Sequence, residues 1–210
     1  MSVTELRQRW RRLCAEAKLA GSADALFAVL ETAYSAPDRH YHTLAHVAAC
    51  LEAFDAARHL AEHPLAVELA LFYHDLVYDT RANDCEQQSA SEAHRSLVAA
   101  GAGPALASTV SDLVLATRHR DLGLLGDRAL VADVDLTILG QPAAEFDCYE
   151  AAVRREYGWV PDAIFWRRRA ELLRGFLARP AIYSTGCFRG RLELVARHNL
   201  ERSIAARRPP

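Results

Sequence analysis

Arg39-His40-Tyr41-His42-Thr43-Leu44-Ala45-His46 and, past a helical interval, Phe72-Tyr73-His74-Asp75 are the two segments from which the rest of the chain can be read. His46 and His74 stand 28 residues apart. A helix rises about 1.5 Å per residue, so an antiparallel pair joined by a short turn near Glu62-His63-Pro64 brings the two imidazoles level. Imidazole and carboxylate are good donors to Zn, Mn, Fe, Co or Ni, and a cation needs three or four such groups converging from different directions. His74-Asp75 closes an otherwise apolar run, Leu65 to Tyr73, that reads as a buried helix. A carboxylate there is costly without a partner. A cation and a buried arginine both qualify.

Outward from these segments, the periodicity is helical throughout. Ser2 and Glu5 form a capping box ahead of Leu6, Trp10, Leu13 and Cys14. Ser22 caps a second helix that Pro37 stops. From Thr43 a third carries His46, with a small-residue face at Ala49, Cys50 and Ala53 that lets a neighbour approach closely. Pro64 suits the first turn of the fourth. Further helices are expected from about Glu86 to Ala100, through Leu106 to Leu115, from Arg128 to Leu139, from Glu145 to Tyr157, from Pro161 to about Leu177, and from Phe188 to Ile204. Arg207-Arg208-Pro209-Pro210 reads as a frayed tail. No stretch alternates as a strand does, so the expectation is an all-α, single-domain helical bundle over 1–210. Its core would be about 39–140, with C-terminal helices 142–206 packed on it.

Composition narrows the function classes. The 210 residues carry 25 Lys and Arg against 27 Asp and Glu, and the longest basic run is Arg167-Arg168-Arg169, which argues against extended nucleic acid as a partner. Five cysteines, an odd number without Cys-x-x-Cys spacing, read as reduced thiols in a cytoplasmic protein. The start lacks a signal-like n-region and no apolar run reaches membrane-spanning length, so no membrane partner is expected. A homodimer is compatible with all of this. There is no Gly-rich phosphate loop and no Gly-x-Ser-x-Gly elbow.

A histidine, a distant His-Asp pair and a later Asp, all on helices, resemble the HD superfamily of metal-dependent phosphohydrolases. The surrounding residues sharpen the likeness: Arg39-x-Tyr41-His42-x-Leu44-x-His46, Phe72-Tyr73-His74-Asp75-x-Val77-Tyr78, Glu86-x-x-Ser89-Ala90, and Asp133-x-Asp135-Leu136-x-Ile138-Leu139-Gly140. Arg154-x-Glu156-Tyr157 and Glu193-x-x-Ala196-Arg197-x-Asn199-Leu200 follow. Together they look like a bacterial family of predicted HD phosphohydrolases of unassigned substrate, over roughly residues 5–202. Cys85 stands where such relatives usually carry Asn.

The resemblance implies an HD-type fold and a divalent metal ion (Mn, Zn, Ni, Co, Mg or Fe) on His46, His74, Asp75 and one carboxylate of Asp133-Val134-Asp135. Two residues apart, these lie about 200° round a helix, so only one can face the site; Asp135 is preferred and Asp133 is the alternative. Asp75 would also be catalytic, accepting a proton from water. Arg39, His42 and His119 are candidate substrate contacts, and Glu86 a candidate support for a ligand histidine. For three of these a structural role is open too: an ion pair for Arg39, a cap or packing contact for His42, a helix start for Glu86. The expected activity is that of a hydrolase, cleaving a small phosphate ester that includes nucleotides among its candidates. The alternatives are an HD-type di-iron oxygenase, with His42 and His119 as extra ligands, and a non-catalytic metal-containing nucleotide sensor.

Overall fold

Side-chain caps set several helix starts. Ser2 accepts from the Glu5 amide while Glu5 reaches back to Ser2, and α1 runs Val3–Glu16; Ser22 accepts from Ala25 and opens α2, Ala23–Tyr34. Thr43 opens α3, Leu44–Ala57, and Thr185 opens α10, Gly186–Ala205. Between them lie α4 (Pro64–Tyr73), α5 (Cys85–Ala99), α6 (Pro104–Ala116), α7 (Gly126–Asp135), α8 (Ala143–Glu156) and α9 (Asp162–Leu177). This computed structural model describes residues 1–206, and no strand occurs among them. The expectation for Arg207–Pro210 lies outside the described residues.

Helix α4 is the axis. Every residue from Ala66 to Tyr73 is buried, as a helix apolar on all sides requires, and it packs against α1, α3, α5, α6 and α7. Its one charge, Glu68, is fully buried and is held by Arg9 at 2.5 Å, Arg12 at 2.7 Å and Arg58. Trp10 of α1 closes one side, edge-on to Phe72 with ring centroids 5.1 Å apart.

Helix α4 stops at Tyr73 with His74 as its C-cap, so the His-Asp pair stands at the helix's C-terminal end as its place at the close of the apolar run implies. One boundary differs from the sequence expectation. The apolar stretch expected as one helix to Leu139 breaks after Asp135 into a 3-10 turn, Leu136–Gly140. There the Thr137 hydroxyl turns back to the Val134 carbonyl at 2.8 Å, and Gly140 sits where a Cβ would meet the Leu192 Cβ at 2.6 Å. That close approach docks α10 on the turn. No helix among the described residues is long and apolar enough to cross a membrane.

Candidate metal centre

Three helix ends deliver the central side chains. The Thr43 cap sets the start of α3, and His46 follows in its first turn, 5% exposed. At the end of α4, His74 Nδ1 lies 2.9 Å from the Leu71 carbonyl. A carbonyl can only accept, so Nδ1 carries the hydrogen and the Nε2 lone pair of the neutral ring faces the other way. The Tyr34 hydroxyl donates to the Phe72 carbonyl at 3.0 Å and accepts the Asp75 amide at 3.3 Å, fixing the turn on which the His-Asp pair sits. Asp135 is the last residue of α7.

The four side chains converge. His46 Nε2 lies 3.0 Å from His74 Nε2, 3.1 Å from Asp135 Oδ1 and 3.6 Å from Asp75 Oδ2; His74 Nε2 lies 3.1 Å from Asp75 Oδ2 and 3.6 Å from Asp135 Oδ1. Donors each about 2.1 Å from one cation are about 3.0 Å apart at a right angle and about 3.4 Å apart at a tetrahedral angle. The five separations match the edges of such a polyhedron. Two imidazole nitrogens turned on each other and on two carboxylates fit a divalent cation by chemistry as well as by distance. The same crowding shows in the protein's own electrostatics: burial opposes charging His74, but Asp75 and Asp135 outweigh it and raise its pKa well above the usual value. For His46 burial prevails and the pKa is lowered. Both carboxyl pKa values are lowered against the pull of burial, Asp75 chiefly by His74 and Asp135 chiefly by His119 and His46.

Cys50, one turn along α3 from His46, is a member of the buried group that could hold a metal ion, with donor atoms of His46, Cys50, His74 and Asp135 within 4.8 Å of one another. In the sequence it belongs to the small-residue face of α3 with Ala49 and Ala53. Its sulfur is 3.8 Å from His46 Nδ1 and 3.7 Å from Nε2, so it lies against the ring rather than on either lone pair. Burial raises its pKa well above the usual thiol value. Asp133 faces elsewhere: its oxygens accept the Ser184 and Thr185 amides, each at 2.7 Å, where α10 begins.

The remaining candidates separate into those that reach the cluster's surroundings and those that hold it together. Arg39 is buried and gives its guanidinium to three backbone carbonyls, His42 at 3.1 Å, Asp75 at 2.6 Å and Leu76 at 2.8 Å, tying the two histidine segments together. His42 stacks on Tyr78, and its Nδ1 lies 2.8 Å from Glu156 Oε2. With Nδ1 on a carboxylate, Nε2 is left to the cleft that His42 lines. The other Glu156 oxygen accepts the amides of His40, Tyr41 and His42 at 2.8, 2.7 and 3.0 Å. His119 reaches Asp135 Oδ2 at 2.8 Å from a left-handed backbone, φ 53°, a conformation that must be held by its surroundings. Glu86 lines the cleft, but no hydrogen bond or ion pair joins it to a histidine among the described residues. Cys85 exchanges sulfur contacts of 3.3 Å with the backbone of Asp79.

A cavity of about 1070 Å³ opens beside the cluster, with Asp75 and Asp135 in its wall and Tyr41, Tyr149, Trp159 and Phe176 among its rings. The group can therefore meet a ligand of some size. No protein-family description, no curated protein and no solved structure matches this chain.

Proposed function

We propose that the protein is a metal-dependent phosphohydrolase of HD type, acting on a small phosphate ester in the cleft beside His46, His74, Asp75 and Asp135. The observation that carries this reading is the set of five nitrogen–nitrogen and nitrogen–oxygen separations between 3.0 and 3.6 Å at the mouth of a large cavity. A divalent cation held by His46, His74, Asp75 and Asp135 would lower the pKa of water from about 15.7 towards about 7 and offset the charge that builds on a transferring phosphoryl group.

The chain's own residues supply the rest. His74, its Nδ1 proton spent on Leu71, offers Nε2 in one fixed tautomer. Asp75 lies at the cleft wall and accepts the proton lost as water attacks phosphorus. His42, oriented through Nδ1 by Glu156, presents Nε2 to the same space and can give a proton to the departing oxygen. Tyr41, Tyr149 and Phe176 provide apolar surface for the organic part of the ester, and nucleotides are within the cavity's size.

A second reading has its own observation. Asp135 divides its oxygens, Oδ1 towards His46 and Oδ2 towards His119, as a carboxylate bridging two cations would. This arrangement would suit the iron pair of an oxygenase, or a two-metal hydrolase.

The test is metal content by mass spectrometry of gently purified protein beside His74→Ala and His119→Ala, followed by a screen of phosphate esters and nucleotides with Mn, Mg, Co, Ni and Zn. One ion per chain, lost in His74→Ala and kept in His119→Ala, with turnover of an ester, supports the hydrolase. Two irons per chain, one lost in His119→Ala, turn the assignment to the oxygenase. Tight, stabilising nucleotide binding with no turnover under any metal replaces catalysis by sensing, and equal metal in wild type and His74→Ala removes the cluster as a metal site.

A further inference from the structure

Most low-exposure arginines here are matched to carboxylates: Arg9 to Glu68 and Asp55, Arg169 to Glu150, Arg154 to Asp162, Arg197 to Glu193. Two in the cleft are not. Arg118 gives one N–H to the neutral Gln87 amide oxygen at 2.9 Å, and Arg179 gives one to the His119 backbone carbonyl while lying 4.4 Å over the Phe176 ring. Neither has a carboxylate within ion-pair distance among the described residues, although Glu86 and Asp79 also line the cavity. Burial without a counter-charge lowers the pKa of Arg179. A guanidinium has five N–H donors, so both keep several unspent.

Their placement is built. Arg118 precedes His119, Arg179 clasps the His119 carbonyl, and the His119 ring touches Asp135 Oδ2 at 2.8 Å. The backbone beside Arg179 is itself fixed, because Arg197 donates to the carbonyls of Leu177, Arg179 and Pro180 at 3.0, 2.9 and 3.3 Å. Two under-neutralised cations therefore flank one residue whose side chain ends on the metal cluster. A single phosphate seated on that cluster satisfies the cation there and leaves these guanidiniums without an anion.

We infer that the cleft selects phosphate esters bearing a second anionic group, foremost a diphosphate, with one phosphoryl group at the cluster and the next across Arg118 and Arg179. This rests on the phosphohydrolase reading and gives it a substrate class. Paired N–H donors of guanidinium match phosphate oxygens, and a charge-assisted contact in a partly desolvated cleft is strong enough to divide diphosphates from monophosphates by about tenfold.

The experiment is equilibrium dialysis of the Mn-loaded full chain against inorganic phosphate and inorganic pyrophosphate, with metal measured in the same samples so that stripping is seen. Arg118→Ala and Arg179→Lys are run beside wild type, with a thermal melt of each to check folding. Pyrophosphate should bind at least about tenfold tighter than phosphate, and Arg118→Ala should remove most of that difference while leaving phosphate binding and metal content as they were. Arg179→Lys, which keeps charge but loses the fork, should fall between. Equal binding of the two anions, or a loss in Arg118→Ala shared equally by both, overturns the subsite while leaving the metal centre intact. If the chain retains no metal, the hydrolase reading fails first. The same dialysis on metal-free chain then decides the subsite alone: a pyrophosphate preference abolished in Arg118→Ala sustains it, and no preference sinks it.

Discussion

Glu156→Gln isolates the contact on which the histidine loop depends. In the wild type one carboxylate takes five donors: the amides of His40, Tyr41 and His42, the His42 ring at 2.8 Å and the Tyr78 hydroxyl at 2.8 Å. Burial alone would raise its pKa, but these donors outweigh burial, His42 first, and lower it to about 2 from the ordinary 4.5. Such a displacement stabilises the folded, ionised form by about 3 kcal/mol. An amide is nearly isosteric, yet it offers one acceptor and turns an N–H₂ towards groups that are themselves donors, so most of this is lost at neutral pH.

The sign follows from the lowered pKa. The contribution is complete above the unfolded-state value and disappears as pH falls through the folded one, so the gap between wild type and Glu156→Gln should shrink from about 3 kcal/mol at pH 7 to about 1.5 at pH 3. Urea unfolding of both proteins at the two pH values measures it, and because the other carboxyls are common to both, their titration cancels in the difference. A gap below about 0.5 kcal/mol at pH 7, or one that does not change with pH, would refute the reasoning, since surface substitutions commonly reach that size.

Three further substitutions probe separate parts. Asp133→Ala should cost about 1–2 kcal/mol in urea unfolding, by removing the cap on the Ser184 and Thr185 amides, with metal content unchanged; loss of metal would make Asp133 a ligand after all. Cys50→Ala should keep the metal that Asp75→Asn loses, because the thiol lies against the His46 ring; metal lost from Cys50→Ala alone would exchange their roles. Gly140→Ala should lower stability by about 1–3 kcal/mol, because its methyl group would stand 2.6 Å from the Leu192 Cβ; an unchanged melting temperature would show that α10 can retreat freely.

What the sequence made legible follows from range. Caps and periodicity act over three or four residues, so Ser2, Ser22, Thr43 and Pro64 could be read as helix starts, and their helices begin beside them. The convergence of two helices on His46 and His74 needed only a turn between them and a fixed rise per residue. By contrast, α7 gives way to a 3-10 turn after Asp135, and the seat that this turn offers α10, with Leu192 lying close over Gly140, joins residues more than 50 apart that no local pattern connects. Cys50 is not legible in the sequence as a possible donor for a related reason: one turn from His46 is a packing position as readily as a ligand position, and only the three-dimensional structure distinguishes sulfur over a ring from sulfur on a lone pair.

The polar residues around the cluster divide by what their chemistry can reach. Arg39 has a long side chain and fixed charge, and it spends both on three carbonyls between the histidine segments; Glu156, Glu193 and Asn199 likewise satisfy backbone groups of distant loops. A polar residue beside a site thus need not touch the chemistry, because holding two non-adjacent loops at a fixed spacing requires buried hydrogen bonds of the same residue types. Arg118 and Arg179, both partly exposed, differ in the one property that sequence hides: each makes a single neutral hydrogen bond, where Arg39 fills its donors with carbonyls and most other low-exposure arginines meet a carboxylate. The unspent charge, rather than the residue type, is what points from this scaffold towards an anionic ligand.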